Sequence, residues 1–276
     1  MRRAILALAA LLSACGGPAR ESETPPPLQF DPPAATTAPK QAALRHGERL
    51  ASVLGCRGCH GKDLTGHVGE DDPKVALLWT SNLTRVLPAY DDAQLERALR
   101  AGVRNDGSPL WGMPSELFSH LSGPDMAALI AWLRTVQPKG EEHPRIRIGP
   151  EGRKMIEKGE IKATPVWVRE SRRLAPARLD GRYDWARYMV RATCAECHGM
   201  ELKGGDPKDP KPTPDLIVAS AYGRDEFRRL LRTGEPTGGR RLGLMAEVAK
   251  GRFVHLTDRE VDAIHDYLKA RAEAPQ

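Results

Sequence analysis

Hydrophobic positions divide the chain into a short apolar start, a polar stretch without period, and a long body in which apolar residues recur at helical spacing. Behind Met1-Arg2-Arg3, the apolar run Ala4 to Leu12 is too short to span a bilayer and has the form of a secretory signal. From Gly16 to Lys40 no apolar periodicity appears and prolines recur (Pro18, Pro25, Pro26, Pro27, Pro32, Pro33, Pro39), the composition of an extended, semi-rigid spacer. Beyond it, helical patterns cover Gln41 to Leu54 and Tyr183 to Ala192. Leu95 and Leu99, like Phe227, Leu230 and Leu231, mark further helices that stop at Gly102 and Gly234, residues suited to the position just past a helix end. Ser122 and Thr257, each with an acid three residues on (Asp125, Glu260), predict the starts of two more. These run through Ala128, Ile130, Trp132, Leu133 and through Val261, Ile264, Tyr267, Leu268. Strand signals are scarce, so the pattern predicts an all-α chain.

The same order of elements occurs twice. His60-Gly61-Lys62-Asp63-Leu64-Thr65-Gly66 aligns with His198-Gly199-Met200-Glu201-Leu202-Lys203-Gly204, Tyr90 to Gly102 with Tyr222 to Gly234, and Trp132 with Tyr267. The duplication predicts this organisation: residues 1–14 a signal, 15–40 a spacer, 41–138 and 181–276 two tandem helical domains, and 139–180 a basic connector. A domain this small has a marginal core of its own. Gly47 predicts close contact between the leading helix and Trp132, whereas Trp185 at the equivalent place in the second half predicts a different helix contact. In the connector, a short helix is expected around Gly152 to Gly159. Ile146, Ile148, Val166, Trp167 and Val168 are costly to leave in water, so the segment is expected to lie across both domains.

Cysteine usage supplies the chemistry. Of the five cysteines, four form two Cys-x-x-Cys-His motifs, Cys56-Arg57-Gly58-Cys59-His60 and Cys194-Ala195-Glu196-Cys197-His198. Such a motif reads as a c-type haem attachment site: two thiols add to the two vinyl groups of one haem, and the adjacent imidazole reaches the iron. A zinc ribbon places its two halves much closer together, a redox dithiol wants a βαβ context, and neither requires the histidine. Two covalent haem c groups, each with its iron, are therefore expected on Cys56, Cys59, His60 and on Cys194, Cys197, His198. The fifth cysteine ends Leu12-Ser13-Ala14-Cys15. That ending resembles the lipobox of bacterial lipoproteins, implying cleavage before Cys15 and its acylation; the alternative is an ordinary signal peptide cut nearby. Haem ligation to such motifs follows export in bacteria, so the expected location is the periplasm. The lipid on Cys15 would be the membrane tether, and Gly16 resembles outer-membrane rather than inner-membrane sorting.

The order of helix, CxxCH, helix, loop and final helix resembles class I cytochrome c domains over about residues 41–138 and 181–276. The resemblance implies two cytochrome c-like domains, each a small bundle around one haem. In that family a loop methionine before the last helix binds the iron opposite the histidine. Met113, in Trp111-Gly112-Met113-Pro114, stands at that place, and Met245, in Leu244-Met245-Ala246, is its counterpart. A thioether in that position raises the reduction potential. His67, His120 and His255 are rival ligands that occupy no matching positions in the two repeats. Met126 and Met189 fall on helix faces as core residues, and Met200 lies too close to its own motif to cross the ring.

Two functions follow. In the first, the chain is an electron-transfer protein rather than an enzyme, or the cytochrome subunit of an oxidoreductase complex. The layout resembles the dihaem cytochrome subunits of periplasmic dehydrogenases. Electrons would pass from a dehydrogenase through both haems to a terminal oxidase or another cytochrome. In the second, the chain is a dihaem peroxidase with one open haem, the second half being the candidate and Glu247 or His255 the acid–base group. The repeat favours the carrier. The formal charge of +6 concentrates in the connector and around Arg228, Arg229, Arg232, Arg240 and Arg241, which suits an acidic protein partner and equally a merely solvated surface. Nucleic acid is not expected, because aromatics are too sparse for base stacking.

Overall fold

The computed structural model describes residues 28–32, 38–205 and 212–274. Residues 1–14, expected as a signal, Cys15 and most of the Pro-rich stretch lie outside them. The first half runs α1 (Pro39–Val53), α2 (Cys56–His60), β1 (Val68–Asp72), β2 (Ala76–Trp79), α3 (Leu83–Val86), α4 (Asp92–Ala101), α5 (Ser115–Phe118) and α6 (Gly123–Leu133). The connecting region holds β3 (Arg147–Ile148), α7 (Pro150–Glu157) and α8 (Thr164–Ser171). The second half runs α9 (Asp184–Thr193), α10 (Ala195–His198), α11 (Arg224–Thr233), α12 (Leu244–Gly251) and α13 (Asp258–Glu273). No helix among the described residues is long and apolar enough to cross a membrane.

The helix ends follow from local chemistry. Asp91 caps α4 by accepting from the Gln94 N–H at 2.7 Å, while the Gln94 side chain accepts from the Asp91 N–H at 3.0 Å, so two of the four unpaired donors at a helix start are satisfied. Ser122 and Thr257 cap α6 and α13, the latter in a reciprocal box with Glu260. Gly102 and Gly234 close α4 and α11 in left-handed conformation.

Leading and final helices cross in each half, but not alike. Gly47 on α1 faces α6 so closely that a Cβ there would stand 2.0 Å from the Ala128 carbonyl oxygen and 2.7 Å from the Trp132 Cβ. In the second half Trp185 of α9 is half-buried instead; its Nε1–H donates to the Gln29 carbonyl at 2.7 Å and Arg259 stacks 4.4 Å from its ring centroid. Replacing Gly47 by alanine is expected to force α1 and α6 apart, costing about 1–3 kcal/mol as other overpacked cores do. Thermal unfolding followed by far-UV circular dichroism checks it; an unchanged Tm would mean the helices are not in contact.

Three expectations need correction. The chain is mostly helical but not all-α: β1 and β2 form an antiparallel hairpin and β3, from the connecting region, adds a third strand beside β2. All five residues of β1 are exposed, so no alternation of apolar and polar positions marks them.

The Pro-rich stretch, expected as an extended spacer, is not solvated throughout. Phe30 is fully buried between the halves, its ring 5.6 Å from that of Tyr188. Its N–H donates to Asp125 Oδ2 at 2.9 Å, and the next N–H, of Asp31, donates to Glu260 Oε1 at 2.8 Å. Burying one phenylalanine contributes about 1.5–3 kcal/mol, and here the gain joins the final helices of both halves.

The third correction concerns charge. Arg228 donates to Asp262 at 2.7 Å and Arg232 to Asp258 at 2.7 Å, so part of the basic surplus is neutralised by the acidic face of α13. Arg240 and Arg241 remain exposed.

The connecting region does lie across both halves. Gly149 and Glu151 donate to the Val75 and Lys74 carbonyls of the hairpin, each at 2.9 Å, and Val168 is buried, although Trp167 stays half-exposed. Further on, the Pro176 and Ala177 carbonyls accept from Arg187 of α9 at 2.7 Å and Tyr267 of α13 at 2.8 Å.

Candidate haem-attachment sites

Each motif folds into one short helical turn that gathers two thiols and an imidazole. In the first half α1 ends at Val53 with Leu54 as its cap, Gly55 takes φ +82°, and α2 begins at Cys56. In the second, α9 passes into α10 through Cys194 without a break. Cys56 is buried and Cys59 exposed; Cys194 and Cys197 are intermediate. Burial pushes the Cys56 and Cys194 thiols up to about 11. A reactive redox dithiol needs the opposite shift.

After each histidine the backbone takes the same path. Leu64 and Leu202, buried in both halves, adopt left-handed φ of +63° and +62°. The Gly66 N–H donates to the His60 carbonyl at 2.7 Å, and the Gly204 N–H to the His198 carbonyl at 2.9 Å. The Leu83 N–H then reaches the Leu64 carbonyl at 2.8 Å, as the Leu216 N–H reaches that of Leu202 at 2.9 Å. A left-handed leucine is uncommon, and here it recurs at the same place after both motifs.

That path aims each imidazole. His60 Nδ1 lies 2.8 Å from the Ser81 carbonyl oxygen, and His198 Nδ1 lies 2.8 Å from that of Pro214. A carbonyl can only accept, so Nδ1 carries the proton and Nε2 keeps its lone pair. Burial lowers the pKa of both rings, which keeps them neutral at physiological pH. The residues fit a covalently held haem on these grounds: two thiols and one neutral imidazole with an available Nε2, in duplicate. When bound, such a haem supplies a one-electron couple at its iron.

The carbonyls are fixed by residues that carry no sequence motif. Beside Ser81, buried Asn82 accepts from the Thr84 N–H at 3.0 Å and donates to the Lys139 and Glu141 carbonyls at 2.8 and 2.9 Å, fastening the start of the connecting region there. Beside Pro214, Asp215 accepts from buried Arg271 of α13 at 2.7 Å. The carbonyls stand at different spacings from their histidines, 21 residues on in the first half and 16 in the second, and the β1–β2 hairpin lies within the first interval.

Met113 and Met245 are half-buried at the margin of the hydrophobic core. Met113 follows Gly112 (φ +71°) outside any helix, and its carbonyl accepts from the Ser115 N–H at 2.8 Å and the Thr164 hydroxyl of α8 at 3.1 Å. Met245 lies in the first turn of α12, its N–H donating to the Leu242 carbonyl at 3.1 Å. Met126, Met189 and Met200 are buried core residues. His120 pairs with Arg191 of α9; burial and that guanidinium push it down to about 4. Glu247 and His255 are exposed. Cys15 lies outside the described residues.

The two motifs are also near each other, which no spacing in the sequence reveals. Arg252, just past α12, donates through Nε to the Val53 carbonyl at 3.1 Å and through Nη1 to Glu196 Oε2, inside the second motif, at 2.6 Å.

Residues 186–272 match the family model described as cytochrome c, so the second half holds a cytochrome c domain, the kind that carries haem c covalently and transfers electrons. Over 279 residues the chain is 27% identical to the fructose dehydrogenase cytochrome subunit of Gluconobacter japonicus, the alignment covering 85% of this chain and 54% of that protein. It is 25% identical over 277 residues to the cytochrome c subunit of alcohol dehydrogenase (quinone) of Gluconacetobacter polyoxogenes, covering 85% and 57%. It is 24% identical over 272 residues to the subunit of the same name in Gluconobacter oxydans (strain 621H), covering 86% and 56%. The chain thus spans about half the length of the curated relatives it matches. By name, those relatives are cytochrome subunits of dehydrogenases, and none of them is a peroxidase.

Proposed function

We propose that the chain is a dihaem c-type cytochrome built of two tandem cytochrome c-like domains, residues 41–138 and 181–276, joined by the segment 139–180. Cys56 and Cys59 hold one haem with His60 and Met113 as axial ligands; Cys194 and Cys197 hold the other with His198 and Met245. The observation that carries this reading is the repeated geometry after each motif. The left-handed leucine, the glycine N–H on the histidine carbonyl and the imidazole Nδ1 on a carbonyl 2.8 Å away recur in both halves.

The work of such a protein is outer-sphere electron transfer, in which the chain's own residues hold the redox groups, exclude water and set potentials. The names of its relatives support a place beside the catalytic subunit of a dehydrogenase, from which it would pass electrons to a terminal oxidase or another cytochrome. The N-terminal sequence supports export to the periplasm and tethering through an acylated Cys15.

Near-infrared magnetic circular dichroism of the oxidised holoprotein tests the ligand set. Methionine-to-iron charge-transfer intensity equal to two bonds per chain is expected, and replacing Met113 or Met245 by histidine should each remove half of it. Intensity for one bond in the unaltered protein would overturn the assignment at the haem whose variant leaves the spectrum unchanged.

A further inference from the structure

Arg252 belongs to neither CxxCH motif, yet the structure holds its guanidinium between the two. On one side its Nε bonds the Val53 carbonyl, close before Cys56; on the other its Nη1 bonds Glu196, which lies between Cys194 and Cys197. The side chain is 13% exposed and that of Glu196 28%. The Arg252 charge acts on the sulfurs of Cys56 and Cys194, and at Cys59 and Cys197 the opposing Glu196 carboxylate acts more strongly than Arg252 does. Its Nη2 is buried with no hydrogen-bond partner among the described residues.

Gly55 makes the room. A Cβ at this residue would stand 2.7 Å from the Arg252 Cζ and 2.8 Å from its Nε. The attachment motif itself does not ask for this glycine. At the equivalent place before Cys194 the second half has Thr193, helical and without positive φ. The left-handed break at Gly55 is therefore particular to the half that receives the guanidinium.

A positive charge held out of bulk water beside a redox centre favours the state that carries one more electron. The interaction grows as the local dielectric falls, and a nearby carboxylate opposes it. We propose that Arg252 is a positioning residue shared by the two haem sites, a fixed cation that raises both reduction potentials together while Glu196 moderates it. The proposal rests on the dihaem reading above. The electron gained at each site comes from a partner protein, and no bond is made or broken.

The test is a spectroelectrochemical titration of the holoprotein, with haem content per chain measured on the same samples. Arg252→Met should move both midpoint potentials down, Glu196→Gln should move both up, and Arg252→Lys, which keeps the charge, should stay near the unaltered protein. Opposite signs for the two neutralising variants are something a merely structural salt bridge would not produce. Glu196→Gln keeps the size of the side chain, so it remains informative if Arg252→Met folds poorly. Two haems per chain with neither potential moved, or only one moved, overturns the shared role of Arg252 and leaves the dihaem reading intact. A single haem per chain in the unaltered protein fails the dihaem reading itself, and the shared role with it.

Discussion

Replacing Cys56 and Cys59 together by serine is expected to halve the covalent haem content of the chain, and the same change at Cys194 and Cys197 should halve it from the other side. A thiol adds across a vinyl group and a serine hydroxyl does not, so each double substitution removes one attachment site while leaving His60 or His198 on its carbonyl. The haemochrome spectrum of the denatured protein, which counts haem that survives denaturation, and the intact mass of the chain give two independent measures. The first motif is the sharper test, since the cytochrome c family model matches only residues 186–272. If the Cys56/Cys59 variant keeps all the haem of the unaltered protein, the first half attaches none and the dihaem reading fails. Stability should follow the haem. Leu64, Leu99 and Leu117 are buried in the first half, but a helical unit of this size has little apolar interior to lose.

The fold was legible where chemistry repeats at short range. Helical periodicity located the main helices of both halves, and Ser122, Thr257, Gly102 and Gly234 mark helix ends in the structure as their residue types suggest. Gly47 gave away a helix crossing because only a missing side chain lets Ala128 and Trp132 come so near. What stayed hidden depends on partners distant in sequence. The β1–β2 hairpin carries no alternation, and its third strand is two residues from the connecting region. Phe30 is a lone aromatic in a Pro-rich stretch; no period surrounds it, and its burial follows from surfaces that exist only once both halves have folded. The site divides the same way. Both CxxCH motifs could be read directly, whereas the carbonyls of Ser81 and Pro214 that orient the histidines are backbone groups, invisible to residue type. No motif or repeat singles out Arg252, and only the fold brings it against Val53 and Glu196.

Glu260→Ala is expected to be among the most destabilising single substitutions outside the haem sites. The carboxylate is fully buried and accepts from four donors: the Asp31 N–H at 2.8 Å, Arg49 Nη1 at 2.8 Å and Nη2 at 3.0 Å, and the Thr257 N–H at 2.7 Å. Those donors belong to the segment 28–32, to α1 of the first half and to the start of α13, so one side chain fastens three pieces of the structure. Truncating it leaves the Arg49 guanidinium, 17% exposed, largely buried without a counter-charge. Breaking one partner of such a pair costs about 3–5 kcal/mol, and each kcal/mol lowers Tm by about 2–4 °C in chains of roughly 150–250 residues. A fall on the order of 10 °C is therefore expected, with Arg49→Met falling comparably because it strands the carboxylate instead. Arg49→Met combined with Glu260→Leu should recover part of the loss, since removing both charges leaves neither one buried and unpaired. A cycle in which the double variant loses as much as the two singles added together would show that the pair does not act as a unit. The joint between α1 and α13 would then rest on Phe30 and the apolar contacts around it.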